Sequence, residues 1–292
     1  MNTLRIARLT FREAVRRKAL YGAIAMTIVF LVLYGWGVGA AVREMAEDTG
    51  TAGIQRQAAQ VGIDTTILAM GQLFVAGLFA VSNIASLLAI FMASGTIAQE
   101  VDQGTLYAIL SKPLARWQVV VGKWLGGAAM LAVYVATTSL ATAAIVYWRA
   151  GFWPDRLLEG ILLLIAKMSL LHAVTLLGSV LWPAITAGIV MFILYSVTNV
   201  TGLLEQVGRE LESEAMVRIG IVGSLVLPAD ALWKMASYAV QPPNPLIALG
   251  IRTMIGPFMV LHPPSIWMGV YAMAYLAAAL GAAVWRFSRR DL

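Results

Sequence analysis

The sequence predicts an all-α integral membrane protein, and three observations carry that prediction. Of its 292 residues, 60% are hydrophobic and only 12% charged, with a mean hydropathy of +0.80. A soluble core could not hide that much apolar surface. Six apolar stretches, at residues 20–42, 67–98, 119–148, 160–181, 184–204 and 265–286, approach the ~20 residues needed to cross hydrocarbon. They lack the short alternating pattern of barrel strands, and inside lipid a helix satisfies its own backbone groups.

The leader, residues 1–19, comes first. Leu4, Ala7, Phe11, Ala14 and Val15 recur at helical spacing beside a stripe of Arg5, Arg8, Arg12 and Arg16, as in a helix lying in the headgroup plane. Two readings stay open: a basic cluster that only sets topology, or an elbow helix that also braces its neighbours. The apolar run that follows exceeds twenty residues and shows no small-residue cleavage site, so the first span is retained rather than removed as a signal peptide.

Orientation follows from Lys and Arg near span ends. Arg5, Arg8, Arg12, Arg16, Arg17 and Lys18 in the leader, Lys112, Arg116 and Lys123 after the second span, and Arg286, Arg289 and Arg290 at the end fall on one side of a six-span chain. On the other side, Arg43 and Arg56 face Glu44, Glu47, Asp48 and Asp64, while Glu205, Glu210, Glu212 and Glu214 offset Arg209 and Arg218. Both termini of this multi-pass chain are therefore expected in the cytoplasm. The pI near 9.7 then reflects this asymmetry and contact with anionic lipid, not nucleic acid.

Between spans two and three lies a mixed-charge segment, residues 99–118. Gly104-Thr105 is expected to break the arriving helix, and Leu106, Ile109 and Leu110 to form the apolar face of a short helix that stops before Pro113. The next helix, from about Arg116 to Trp148, would be roughly 50 Å long against a ~30 Å hydrocarbon core. A short crosspiece joined to two such helices could carry force into the membrane. The same residues also suit an ordinary polar loop with Ser111-Lys112-Pro113 as its turn.

Residues 205–264 are the other unusual stretch. The apolar pieces 219–227 and 246–261 are short or interrupted, with Pro228, Pro242, Pro243, Pro245 and Pro257 among them. They read as interfacial or re-entrant helices on the outer side, with Trp233 and Trp267 suited to the interface.

Polar residues within the spans are few. Lys167 sits well inside span four, where an unpaired ammonium costs on the order of 3 kcal/mol, so it should face protein or water. Asn83 and Ser86, and Ser196 and Asn199, recur at i,i+3 and share helix faces. They suit either a lined pathway or helix-to-helix hydrogen bonds. Gly122 and Gly126, or Ala277 and Gly281, would let helices approach closely.

Chemistry of other kinds finds no support in the sequence. There is no Cys, so disulfides and thiolate metal sites are excluded. Gly122-Lys123 is followed by Trp124 and lacks the glycine of a phosphate loop five residues earlier. His172 and His262 are far apart and no carboxylate cluster accompanies them. No catalytic, cofactor-binding or metal-binding residue is assigned, and no enzymatic role to the chain by itself.

The string Glu100-x3-Gly104-Thr105-Leu106, Leu110-Ser111-Lys112-Pro113, Arg116 and Gly122-Lys123 resembles the loop between spans two and three of ABC-2-type transporter permeases. The resemblance extends over the whole chain, through the basic leader, the six spans, Leu181-Trp182-Pro183 and the closing Phe287-Ser288-Arg289-Arg290-Asp291-Leu292. It implies that the chain is one permease domain whose crosspiece is a coupling helix, docking onto a separate ATP-binding subunit that holds ATP and Mg. Two copies of that subunit and a second permease copy, a homodimer, are implied as well. Carried over by position, Glu100, Thr105, Leu106, Ile109 and Arg116 become the contacts to the ATPase subunit, Asn83, Ser86, Lys167, Ser196 and Asn199 the intramembrane polar candidates, and 205–264 an outer lid. A folded external loop packed on the dimer is the plainer reading of that last stretch.

An exporter is the function this implies. Relatives of the nitrous-oxide-reductase assembly kind leave a second class open: a transmission subunit acting on a periplasmic or lipoprotein partner without moving a small solute. A motor-independent secondary transporter or channel is the third. Nothing in the spans selects a cargo.

Overall fold

The structure is a computed structural model that describes residues 3–47, 65–102, 115–243, 260 and 263–289. Among these, every regular element is helical. In chain order they are α1 (Thr3–Arg16), α2 (Lys18–Glu47), α3 (Thr65–Ser94), α4 (Ala98–Asp102), α5 (Arg116–Ala150), α6 (Leu157–Leu181), α7 (Ala184–Glu210), α8 (Glu214–Val226), α9 (Ala229–Val240) and α10 (Ile266–Ser288). Six of them, α2, α3, α5, α6, α7 and α10, are long and apolar enough to cross a membrane, which are the six stretches expected.

Their ends have local causes. α5 stops where Gly151 adopts a left-handed φ of 69°, its N–H donating to the Tyr147 carbonyl at 2.8 Å, a glycine C-cap. α6 stops because Trp182 precedes Pro183 and is driven into extended backbone; Pro183 then opens α7. The second span runs from Thr65 to Glu100, in line with the expected stretch, but an unexpected turn at residues 95–97 separates α3, which ends at Ser94, from α4. There the Thr96 hydroxyl donates to the Met92 carbonyl at 2.8 Å and the Thr96 N–H to Ala93 at 3.0 Å, closing the turn tightly. The break expected at Gly104-Thr105 lies outside the described residues, as do Leu110 and Pro113.

α6 is the axis of the bundle. It packs on α3, α5, α7, α9 and α10, and its Leu164, Met168, Leu170 and Leu171 are completely buried. α2 and α10 lie at the periphery and expose Val32, Leu33, Trp36, Ile266 and Val270. Such faces match hydrocarbon, which is no less apolar than they are.

The stretch 205–264 contains a hairpin. α8 and α9 have 13 and 12 residues, about 20 and 18 Å at 1.5 Å per residue, too short for a ~30 Å core. They meet at Leu227-Pro228 with a bend of 107°, so the chain turns back instead of crossing. The re-entrant reading of the first piece fits this geometry. The second piece, 246–261, lies outside the described residues except Val260, whose N–H and C=O are both held by the Gln241 side chain, at 3.2 and 2.6 Å. α9 itself was not anticipated. Nor is Trp233 an interface anchor: it is 3% exposed and meets the Phe79 ring edge-on at 5.3 Å, because α9 turns into the bundle. Trp267, 78% exposed, does suit an interface.

Candidate functional site

One end of the bundle gathers the pieces on which the coupling argument depends. Ile6, Ile97, Val119, Val120, Leu176, Val180, Ala283 and Phe287 form a single buried cluster. α1, the turn after α3, the start of α5 and the ends of α6 and α10 therefore share that end, and so do both flanks of residues 103–114. α1 lies directly on α5. Ile6 covers Gly122, and a Cβ on Gly126 would stand 2.4 Å from the Ala7 carbonyl oxygen, so only glycine permits this approach. Arg17, at the elbow between α1 and α2, donates to the Met92 carbonyl at 2.9 Å and pairs with Glu13. Of the two readings of the leader, the bracing helix is the one seen. Gly281 differs from Gly122 and Gly126, since nothing approaches its missing side chain.

Two polar clamps hold the flanks of residues 103–114. Lys123 is buried, with its Nζ 2.5 Å from Glu100 Oε1 and donating to the Thr96 carbonyl at 3.1 Å. This fastens α4 to α5. Arg116 Nη1 donates to the carbonyls of Phe287 and Ser288 at 3.3 and 3.1 Å, placing a cation on the unsatisfied C-terminal carbonyls of α10. Glu100 and Arg116 thus both reach into the protein. The other three expected contacts, Thr105, Leu106 and Ile109, lie outside the described residues. The sequence offers Lys123 as a topogenic cation and as part of the family string, not as a clamp; the signal that could have singled it out is a lysine one turn inside a span.

A second group lies in the middle of the bundle. Lys167 is 2% exposed and its Nζ donates to Ser82 Oγ at 2.7 Å. The same ammonium stands 5.5 Å from the Tyr195 ring centre and 5.7 Å from that of Trp233; its ion-pair geometry to any described carboxylate is absent. A charge-assisted hydrogen bond worth about 1.5–3 kcal/mol and two ring contacts of about 0.5–2 kcal/mol each offset an insertion cost of about 3 kcal/mol. Beside it, Asn83 Oδ1 accepts from Tyr195 Oη at 2.9 Å and Asn199 Nδ2 at 3.0 Å, while Asn83 Nδ2 donates to the Phe79 carbonyl at 2.8 Å. Ser86 turns to the Ser82 carbonyl at 2.7 Å and touches Met168.

Four of the five expected polar positions, Asn83, Ser86, Lys167 and Asn199, therefore meet in one network joining α3, α6 and α7. Ser196 is half-buried on α7 and no hydrogen bond joins it to the network. Ser82, Tyr195 and Trp233 were missed. Ser82 is one residue from Asn83, but nothing in a sequence ties Trp233 of α9 to Lys167 of α6.

Where α7 meets the hairpin there is a third group. Lys234 Nζ lies 2.6 Å from Glu205 Oε2 and 2.7 Å from Asp230 Oδ2, and Arg209 Nη2 lies 2.7 Å from Glu205 Oε1. Glu205, Asp230 and Lys234 are all buried. Two carboxylates and two cations make the group formally neutral, and Ser224 Oγ adds a 3.4 Å contact to Asp230. The sequence set Glu205 against Arg209 but gave no sign of Lys234 as partner. Among the described residues no group of three His, Cys, Asp or Glu is placed to hold a metal ion.

A family model described as ABC-2 family transporter protein matches residues 4–292. No curated protein matches the chain.

Proposed function

From the premise that this chain belongs to the ABC-2 family of transporter proteins and is the membrane permease subunit of an ABC transporter, we propose that it works in an exporter driven by a separate ATP-binding subunit. That subunit holds ATP and Mg, sits in two copies on a permease homodimer, and docks on residues 103–114. The chain has no enzymatic role of its own. It lies in the cytoplasmic membrane of a bacterium or archaeon with both termini in the cytoplasm.

The observation that carries this reading is the double anchoring of that segment. A push on residues 103–114 meets Glu100–Lys123 on one flank and Arg116 on the other. It passes at once to α5 and α10, and through the close packing at Gly122 and Gly126 to α1. α5 and α10 both lean on α6, the helix that presents Lys167 to α3, α7 and α9. Motion at the docking end thereby reaches the polar network in mid-membrane through helices, which transmit displacement with little loss. Rearrangement of that network, with Asn83 and Asn199 half-buried at its edge, is the step that changes access.

Cysteine cross-linking tests the docking. The chain contains no native thiol, so Leu106→Cys or Ile109→Cys should cross-link to the ATP-binding subunit in purified complex, and Asp155→Cys at the opposite end of the bundle should not. Cross-linking from Asp155→Cys alone would refute the assignment.

A further inference from the structure

The elbow of α1 and α2 borders a groove that lies apart from the polar network around Lys167 and from the flanks of residues 103–114. It has a volume of about 400 Å³ and runs between α2 and α5 beneath α1, lined by Phe11, Val15, Leu20, Ile28, Leu31 and Met130 among others. Its lining is almost wholly apolar because the few hydroxyls present are already engaged. Thr27 is bonded to Tyr134, and Thr137 and Thr138 donate to carbonyls of their own helix at 2.8–3.2 Å. A polar ligand would therefore find no partner inside, while a hydrocarbon chain would leave no group unsatisfied.

The dimensions and the neighbouring charge narrow the occupant. From Leu20 to Leu31 the α2 wall rises about 16 Å, roughly half of a ~30 Å hydrocarbon core, which is the depth of one leaflet. At about 100° per residue, Arg8 lies about 20° from Val15 and about 60° from Phe11, and Arg12 about 60° from Val15. Arg8 and Arg12 are exposed, and no described carboxylate pairs with either; Glu13, the carboxylate of α1, is taken by Arg17. By helical register Arg8 and Arg12 thus sit beside Val15, on the side of α1 that helps line the apolar slot, and guanidinium matches a phosphate with two parallel hydrogen bonds.

We propose that this elbow is a binding site for an anionic phospholipid of the leaflet on the α1 side, one acyl chain filling the groove and the headgroup phosphate held by Arg8 and Arg12. The lipid completes the contact between α1, α2 and α5 that the protein leaves open. Since α1 also rests on Gly122 and Gly126 next to the Lys123 clamp, the bound lipid holds the brace of the docking end in place.

Native mass spectrometry of the full chain, purified in mild detergent with an equimolar mixture of phosphatidylglycerol and phosphatidylcholine, tests this. The unaltered protein should retain phosphatidylglycerol preferentially. Arg8→Gln with Arg12→Gln should lower that preference about ten- to thirtyfold, as expected for two cations near an anionic headgroup. Arg5→Gln with Arg16→Gln, farther round the helix, should leave it nearly unchanged. Thr137→Phe, which fills the groove from its exposed side, should remove the retained lipid of both kinds while the protein keeps its elution volume. Equal losses from the two arginine pairs would mean diffuse attraction to the membrane and overturn the site. So would unchanged preference in the Arg8/Arg12 variant, or a Thr137→Phe variant that loses a second copy of the chain instead of lipid.

Discussion

Two lysines buried in this bundle should answer the same substitution in opposite ways. Lys234 sits between Glu205 and Asp230 at 2.6 and 2.7 Å. Lys234→Met removes the cation and leaves Asp230 buried with only the distant Ser224 hydroxyl, and Glu205 with Arg209 alone. Breaking a buried ion pair from one side costs about 3–5 kcal/mol, or a fall of about 10 °C in melting temperature at roughly 2–4 °C per kcal/mol. Lys167 has no carboxylate to strand. Lys167→Met gives up a hydrogen bond and two ring contacts but also relieves an insertion cost of about 3 kcal/mol, and Ser82 can turn to its own helix as Ser86 does. Its melting temperature should move by less than about 4 °C. Both variants are read by thermal melting with size-exclusion detection in one mild detergent. Equal losses, or a larger loss for Lys167→Met, would refute the argument that partner chemistry decides stability here rather than burial.

Three further outcomes follow from the geometry. Glu100→Ala and Arg116→Ala should each insert normally yet weaken association with the ATP-binding subunit or its coupling, measured as copurified subunit and ATP-dependent activity, because each frees one flank of residues 103–114. Gly126→Leu should dislodge α1, since even a Cβ there stands 2.4 Å from the Ala7 carbonyl; faster protease cleavage within residues 3–16 reports it, and cleavage at the normal rate contradicts it. Asp155→Cys should react with an impermeant thiol reagent added outside intact cells while Ser288→Cys stays protected, and the reverse pattern would invert the orientation.

Much of the architecture was legible because hydrocarbon imposes a length and a composition that show in any span. α5 begins at Arg116 as read, and α6 and α7 part at Pro183 because proline forbids anything else. Two features were not legible for a shared reason. The turn at residues 95–97 is closed by Thr96 against its own helix, and α9 is held by Trp233 and Lys234 against other helices. Neither leaves a periodic trace. At the site level, the i,i+3 spacing put Asn83 with Ser86 and Ser196 with Asn199 on shared helix faces but named no partner across helices; Asn199 meets Asn83 because polar groups in lipid seek one another. Which groups they find depends on packing: Tyr195 bonds Asn83, Ser196 next to it does not, and Glu100 and Arg116 fold inward to Lys123 and α10. The interface assignment of Trp233 failed because an aromatic ring suits a headgroup and a buried ammonium equally well.

The claim on which the rest depends is that this membrane chain is moved by a separate ATPase. Its most direct test is affinity purification of the chain from its native membrane in mild detergent, with the copurifying polypeptides identified and ATP hydrolysis measured. The account predicts an equimolar ATP-binding subunit whose hydrolysis is lost from the complex when residues 103–114 are replaced by a glycine-serine linker. A chain that purifies alone and moves solute without ATP would contradict it.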